Sequence, residues 1–185
     1  MYELNILIAG VGGQGTVLLA RLLADMALAK GHFVRGSETI GMAQRGGSVV
    51  SHVRLGEGAA SPLIPHGEAD VLLAFEPGEA LRALPYLKPG GRLAVCDRLL
   101  STAGSAEEYL SALRERVPGM TVLPFEMVMR VCGSAKPLNV ALLGAALDGG
   151  LLPFSLEDAT DALKGRVPQR FWALNERALL ACRQG

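Results

Sequence analysis

A glycine-rich segment, GVGGQG at residues 10–15, most constrains how this chain of 185 residues can fold. It follows the apolar run LNILIAG and precedes TVLLARLLADMALAK, in which apolar residues recur with helical spacing. A buried strand that turns through glycines directly into a helix is typical of the first strand-helix unit of a nucleotide-binding α/β fold. The N-terminal part of the chain therefore predicts an α/β protein.

The rest of the sequence repeats this alternation of strand and helix. The patterns predict strands at 4–10, 32–38, 48–55, 70–75, 91–97 and 120–126, and helices at 16–30, 79–87 and 106–117. Alternation of this kind favours a three-layer, Rossmann-like fold, with a mostly parallel sheet and helices on both faces. The chain turns helical after Glu126, with helices at 134–150, 155–167 and 168–183, the last two beginning at Ser155 and Pro168. We expect a single domain over 1–185, because this length suits one core.

One connection departs from the parallel pattern. Residues 41–47 are too few for a crossover helix, so they form a loop that resembles those of active sites. The strand that follows alternates in hydrophobicity, and GEG at 56–58 provides a turn. We expect the chain to fold back through 59–64 as an antiparallel edge hairpin.

Composition excludes several classes of function. The 18 basic and 18 acidic residues balance, which argues against binding to nucleic acid or to an anionic membrane. No apolar run approaches the roughly 20 residues that cross a bilayer, and no signal-peptide pattern is present, so we expect a cytoplasmic protein. Three widely spaced cysteines, Cys96, Cys132 and Cys182, exclude a local zinc ribbon or a four-cysteine iron–sulfur motif and are typical of small buried side chains. We therefore expect no metal on this chain.

The glycine turn is a candidate cofactor site. Its residues, with the acid that follows the second strand, give the candidate set Gly10, Gly12, Gly13, Gln14, Gly15 and Glu38. A helix N-terminus attracts phosphate or carboxylate, and glycines let a ligand approach the backbone. The alternative is that the glycines only allow the helix to pack closely on the sheet. Glu38 also lies a few residues later than the acid that binds a dinucleotide ribose, which argues against tightly bound NAD.

Several motifs together resemble a known family. They are GVGGQG, then SETIGMAQRGGSVVSHVRLG, SPLIP, ADVLLAFEPGEALR and KPLNVALLGA. With these motifs, nearly the whole chain resembles the small (beta) subunit of indolepyruvate ferredoxin oxidoreductases. More broadly, it is similar to the gamma subunit or domain of the 2-oxoacid:ferredoxin oxidoreductases, which include the pyruvate and ketoisovalerate enzymes.

The resemblance implies a multi-subunit enzyme that decarboxylates a 2-oxoacid, passes electrons to ferredoxin and releases an acyl-CoA. Indolepyruvate or another aryl pyruvate is the implied substrate, with CoA as co-substrate. Thiamine diphosphate, Mg²⁺ and the 4Fe-4S clusters are implied on the large alpha subunit. In agreement, this chain has no four-cysteine set and no GDG-type thiamine motif. It is therefore expected to be inactive alone.

The resemblance also assigns the loop between the second and third strands. The residues that match the family's MAQRGG loop are Met42, Ala43, Gln44, Arg45, Gly46 and Gly47. The resemblance implies that this loop faces the large subunit and shapes its active site, with His52 behind it on the next strand. Arg45 and Gln44 are the candidate catalytic residues, since a guanidinium holds a carboxylate or phosphate with two parallel hydrogen bonds. Alternatively, Arg45 pairs with Glu38 or another acid, and His52 is only structural.

Two further polar residues have two interpretations each. Glu76 follows the fourth strand, where open α/β sheets bind ligands, yet it could cap the next helix. Asn139 lies in an apolar helix and needs a partner, either in the loop or in a ligand crevice.

Two other functions fit parts of the pattern. The chain could be a free-standing Rossmann-type enzyme that uses NAD or FAD, or a nucleotide-binding module that catalyses no reaction.

Overall fold

A six-stranded sheet organises the fold in a computed structural model, which describes residues 3–40, 47–58, 61–100 and 104–184. Its strands are β1 (Leu4–Val11), β2 (Val34–Ile40), β3 (Ser48–Leu55), β4 (Ala69–Ala74), β5 (Leu87–Cys96) and β6 (Thr121–Leu123). The strand order is β2-β3-β1-β4-β5-β6. The β1-β4, β4-β5 and β5-β6 pairs are parallel, whereas β3 runs antiparallel to both β1 and β2. The predicted mostly parallel α/β fold is confirmed.

Helices cover both faces of the sheet. They are α1 (Thr16–Ala29), α2 (Pro77–Ala83), α3 (Ala106–Arg116), α4 (Phe125–Cys132), α5 (Leu138–Asp148), α6 (Leu156–Arg166) and α7 (Trp172–Leu179). Short 3₁₀ turns follow at Leu84–Tyr86, Gln169–Phe171 and Ala181–Gln184. No helix in the described part of the chain is long and apolar enough to span a membrane.

Alternation along the strands divides the apolar residues into two layers. Ile6 and Ile8 point to the layer that contains α1 and α4 to α7, while Leu7 points to the layer that contains α2 and α3. All three side chains are fully buried. The central strands therefore read as continuous apolar runs, as expected for strands covered on both faces.

Helix α6 starts where the sequence predicts. Ser155 caps α6 with a reciprocal capping box in which Asp158 is the second partner, and Ser105 does the same for α3 with Glu108. The helices predicted from 134 and from 168 start four residues later, α5 at Leu138 and α7 at Trp172 after a 3₁₀ turn that Pro168 precedes. By contrast, the predicted strand at 120–126 ends at Leu123, because Pro124 follows and α4 starts there.

The predicted hairpin partner of β3 is wrong. β3 pairs with β2 along one edge and with β1 along the other, so no free edge is left for the chain that follows. Residues 61–63 form bends instead of a strand. The antiparallel hairpin at the sheet edge is β2-β3.

The close contact between α5 and α7 requires a glycine at position 144, and this requirement gives a stability prediction. A Cβ atom on Gly144 would lie 2.0 Å from the carbonyl oxygen of Leu179. We expect Gly144→Ala to lower the free energy of unfolding by about 3 kcal/mol, because the two helix backbones must separate. Urea unfolding measures the change.

Gly165 in α6 is the matched control. It is exposed, and an added Cβ would meet nothing within 4 Å. Gly165→Ala is expected to raise the free energy of unfolding by about 0.5–1 kcal/mol through helix propensity. Equal effects of the two substitutions would contradict the packing argument.

Candidate functional site

The candidate site is the carboxyl edge of the sheet, where β1 and β4 end and β3 begins. The backbone N–H of Gly12 donates to the carbonyl of Gly47 at 2.9 Å, which ties the start of β3 to the glycine turn. The hydroxyl of Ser48 donates to Oε2 of Glu79 at 2.5 Å. Open α/β sheets bind ligands at this edge.

A cavity of about 500 Å³ lies at this edge, lined among others by Ser48, Glu76, Glu79, Arg82 and Tyr109. The side chains of Glu76 and Glu79 are buried beneath it. Arg82, which is largely exposed, pairs with Glu79 at 3.5 Å. This side of the edge therefore carries two buried carboxylates, which disfavour an anion placed beside them.

Gln14 and Glu76 connect the turn to the following strand. Oε1 of Gln14 accepts from the N–H of Val11 at 2.6 Å, and its Nε2 donates weakly to Glu76 Oε1 at 3.5 Å. Oε2 of Glu76 accepts from the N–H of Leu100 at 3.0 Å. Glu76 stands at the N-cap of α2 without a side-chain cap bond, so it bridges the turn and the chain after β5.

Packing accounts for two of the glycines in the turn. A Cβ on Gly10 would lie 2.7 Å from Gln14 Oε1 and 2.9 Å from the ring of Phe75. A Cβ on Gly15, which has φ +89°, would lie 2.7 Å from Nδ2 of Asn139. Both positions thus need glycine whether or not a ligand binds. A cofactor at the turn stays a prediction.

Glu38 lies away from the turn. It is exposed near the end of β2, opposite Ser51 of β3, which in turn lies opposite Ile8 of β1. Two strand spacings separate it from β1 by about 10 Å. β3 occupies the position that the second strand has in a dinucleotide-binding domain, so Glu38 is displaced to the sheet edge.

Most of the predicted loop falls outside the described residues. These positions are Met42, Ala43, Gln44, Arg45 and Gly46. The described Gly47 lies at the carboxyl edge through its bond to Gly12. The roles predicted for Arg45 and Gln44 therefore stay predictions.

His52 lies away from the loop and makes structural contacts. It is four residues after Ser48, which corresponds to about 14 Å along an extended strand. Its Nδ1 accepts from the N–H of Ile64 at 3.1 Å, and its ring faces that of Tyr86 edge-on at 6.0 Å. Burial, with the nearby charge of Arg54, lowers the pKa of His52. These contacts favour the structural interpretation.

Asn139 lies at the other side of the glycine turn. Its side chain is buried in the first turn of α5 and lies over Gly15. It also lines a cavity between α1, α5 and α7. The other interpretation, a bond to the predicted loop, falls largely outside the described residues, so both interpretations stay predictions.

We searched the described residues for side chains that could bind a metal ion together. No group of three or more histidines, cysteines or acids lies close enough there to hold a metal ion. Burial raises the pKa of the Cys96 thiol to about 12, so this thiol is a poor metal ligand and nucleophile.

Two residues at this edge are absent from the candidates that the sequence offers: Glu79 and its hydroxyl donor, Ser48. Glu79 lies in the first turn of α2 with its carboxylate buried. An acidic residue in the first turn of a helix ordinarily interacts with the helix dipole and remains in solvent. Only the pairing of β3 with β1 brings Ser48 to it, and no local pattern encodes that contact.

Comparison with known proteins identifies the family. The model of the pyruvate ferredoxin/flavodoxin oxidoreductase family matches residues 5–185. The chain belongs to this family. It is 37% identical to the indolepyruvate oxidoreductase subunit IorB of Pyrococcus horikoshii over 188 residues, which cover 96% of this chain and 93% of that protein. The resemblance inferred from the sequence motifs is confirmed.

Solved structures share the fold. The gamma subunit of a keto/oxoacid ferredoxin oxidoreductase from Geobacter sulfurreducens is 26% identical, with a TM-score of 0.67, and 96% of this chain and 95% of that chain align. A 2-oxoglutarate:ferredoxin oxidoreductase from Magnetococcus marinus aligns with all of this chain but over only 31% of its own, at a TM-score of 0.72 and 21% identity. The fold thus occurs both as a separate subunit and within a longer chain.

The buried histidine gives a pH prediction. In the unfolded chain His52 titrates near its ordinary pKa of about 6.5, whereas the folded protein resists protonating it. The unfolded state therefore binds more protons below that pH, and the free energy of unfolding should fall as the pH drops from about 7 to about 5. Urea unfolding at a series of pH values measures this slope.

Replacing the imidazole distinguishes the contribution of His52 to this slope from the contributions of other titrating groups. His52→Gln should reduce the slope between pH 7 and pH 5. His66→Gln is the matched control, because His66 is exposed although it also contacts Tyr86. An unchanged slope in His52→Gln would show that other groups cause the acid sensitivity.

Proposed function

We propose that this chain is the small subunit of an indolepyruvate-type 2-oxoacid:ferredoxin oxidoreductase. The observation that carries the proposal is the 37% identity to an IorB subunit along nearly the full length of both chains. Members of the wider family include pyruvate/ketoisovalerate oxidoreductase gamma subunits, which are less similar, at 26% identity for the one from Pyrococcus furiosus. Indolepyruvate or another aryl pyruvate is therefore the favoured substrate.

In the proposed enzyme the large subunit carries the redox chemistry. The overall reaction converts a 2-oxoacid, CoA and two oxidised ferredoxins into an acyl-CoA, CO₂, a proton and two reduced ferredoxins. Among the residues described in this chain, no three histidines, cysteines or acids come close enough to hold a metal ion. We assign thiamine diphosphate, Mg²⁺ and the iron–sulfur clusters to the large partner, in a cytoplasmic complex.

The carboxyl edge is the surface proposed to face that partner. The bonds from Gly12 to Gly47 and from Ser48 to Glu79 fix the described end of the loop at this edge. Arg45 stands two residues before Gly47 in the sequence, and we assign to it the contact with a ligand or partner bound there. Its guanidinium would offset the buried carboxylates of Glu76 and Glu79 and hold the carboxylate of the substrate or a phosphate of CoA.

This chain is proposed to position groups and not to transfer protons. The described histidine nearest the edge along β3, His52, is buried and bonded to the backbone of Ile64. Arg45 and Gln44 would orient the substrate and exclude water, which supports reaction by restricting geometry. The chain is proposed to act as one domain and to be inactive alone.

Reconstitution tests the assignment. The large subunit is assayed anaerobically for reduction of ferredoxin or a viologen dye, dependent on indolepyruvate and CoA, with and without this chain. Activity is expected only when both chains are present. Equal activity without this chain would exclude the proposed role, and NAD-dependent turnover by this chain alone would favour a free-standing enzyme instead.

The loop arginine is tested in the same assay. We expect Arg45→Ala to lower kcat/KM at least tenfold while the complex still assembles, because one charge-assisted contact is lost. Arg35→Ala is the matched control, since Arg35 is exposed on β2. Size-exclusion chromatography verifies assembly, and a wild-type kcat/KM in Arg45→Ala would contradict the loop's role.

A further inference from the structure

The outer side of β2 is an open edge of the sheet. β2 is the last strand in the sheet order, and within the described residues it pairs on one side only, with β3. Its residues form a continuous register without a bulge, and they include neither proline nor lysine. Proline, lysine and bulges are common devices that keep an edge strand from pairing with another chain. The β2 edge lacks all three and can accept a further strand.

One hydrogen bond shows which backbone groups of β2 face outward. The N–H of Gly56 donates to the carbonyl of Phe33 at 2.9 Å, and this pair continues the register in which Val34 lies opposite Leu55. In an antiparallel ladder, opposite residues that exchange bonds alternate with opposite residues that do not. Residues 35, 37 and 39 therefore bond to β3, and the N–H and C=O groups of residues 34, 36 and 38 point away from it.

A groove of about 350 Å³ runs beside this edge, between α1 and β2. Alternation along the strand places the side chains of residues 34, 36 and 38 on one face, which is the face that α1 covers. Most of the groove is small or apolar, with one cation and one anion at its walls. Its lining includes Ala20, Arg21 and Ala24 from α1 and Val34, Gly36 and Glu38 from β2.

The two charges of the groove are exposed and of opposite sign. Arg21 lies on α1 and Glu38 on β2, and neither forms an ion pair with another described residue. A surface that carries one cation and one anion is complementary to itself when a twofold axis relates two copies, because each charge then meets its opposite. A second copy of this chain therefore fits the charges of the groove.

Antiparallel pairing of β2 with itself satisfies the open edge and the two charges together. A twofold axis perpendicular to the sheet keeps α1 of both copies on the same face. When the axis passes through Gly36, the outward groups of residues 34, 36 and 38 meet those of residues 38, 36 and 34 of the second copy. Glu38 of the second copy then lies opposite Val34, on the face of the groove that Arg21 lines.

An exposed aromatic ring precedes the same edge. Phe33 comes directly before β2 and is 64% exposed. In the register centred on Gly36, Phe33 lies opposite Thr39 of the second copy. Pairing would thus remove apolar surface of the ring from water, which favours association.

We propose that the β2 edge joins two copies of this chain in one continuous antiparallel sheet, with Arg21 of each copy paired to Glu38 of the other. This surface runs along the side of the sheet, whereas the surface proposed for the large subunit is the carboxyl edge. The dimer therefore does not depend on the proposed function, and its absence would leave the small-subunit role standing.

Sedimentation velocity of the full chain measures the association. We expect a reversible monomer–dimer equilibrium over concentrations from the micromolar to the hundreds of micromolar range. A chain that stays monomeric throughout this range would overturn the proposal.

Charge reversal tests the contact between the copies. Arg21→Glu and Glu38→Arg each bring two pairs of like charges together in the dimer, so each should raise the Kd of dimerisation at least tenfold. An equimolar mixture of the two variants should recover association, because every charge again meets its opposite. Arg130→Glu, on the exposed side of α4, is the matched control and should leave the Kd unchanged. A mixture that associates no better than either variant alone would overturn the proposed pairing.

Substitution of Gly36 tests the strand pairing itself. Gly36→Pro removes the outward N–H at the centre of the edge and leaves the ladder to β3 intact, so it should raise the Kd at least tenfold. Gly36→Ala keeps that N–H, and its Cβ would lie 3.5 Å from the carbonyl oxygen of His52, an ordinary contact. The alanine variant should therefore dimerise like the wild type, and circular dichroism verifies that both variants fold. Equal dimerisation of the two variants would contradict pairing through this edge.

Discussion

The insertion of one antiparallel strand determines most of the carboxyl edge. β3 forms backbone hydrogen-bond ladders with β1 on one side and with β2 on the other. It therefore separates β2 from β1, so Glu38 lies at the sheet edge and away from the glycine turn. The same pairing brings Gly47 and Ser48 to the turn and to α2. The first strand and the glycine turn thus resemble those of a dinucleotide-binding domain, but the strand next to β1 is the antiparallel β3.

The N-terminus of α1 lies between two different environments. On the side of β4, the buried carboxylates of Glu76 and Glu79 line the edge, and Gln14 contacts the first of them. On the side of α5, the side chain of Asn139 packs against Gly15. The two carboxylates disfavour an anion beside β4 unless a cation accompanies it.

The chain belongs to the pyruvate ferredoxin/flavodoxin oxidoreductase family. Within the described residues, the polar contacts of Gly12, Ser48 and Glu76 fix the backbone at the carboxyl edge, where β1 and β4 end and β3 begins. Burial raises the pKa of the Cys96 thiol, which packs in the core.

The sequence by itself determined the alternation of strand and helix, the capped start of α6 and the family, because local periodicity, capping residues and motifs encode them. It also identified Asn139 as a buried amide that needs a partner. Only the tertiary structure decided that β3 pairs with β1, that Glu38 is displaced and that Asn139 meets Gly15. These contacts join residues far apart in the chain, and strand order and helix packing set them through the whole core, which no local pattern specifies.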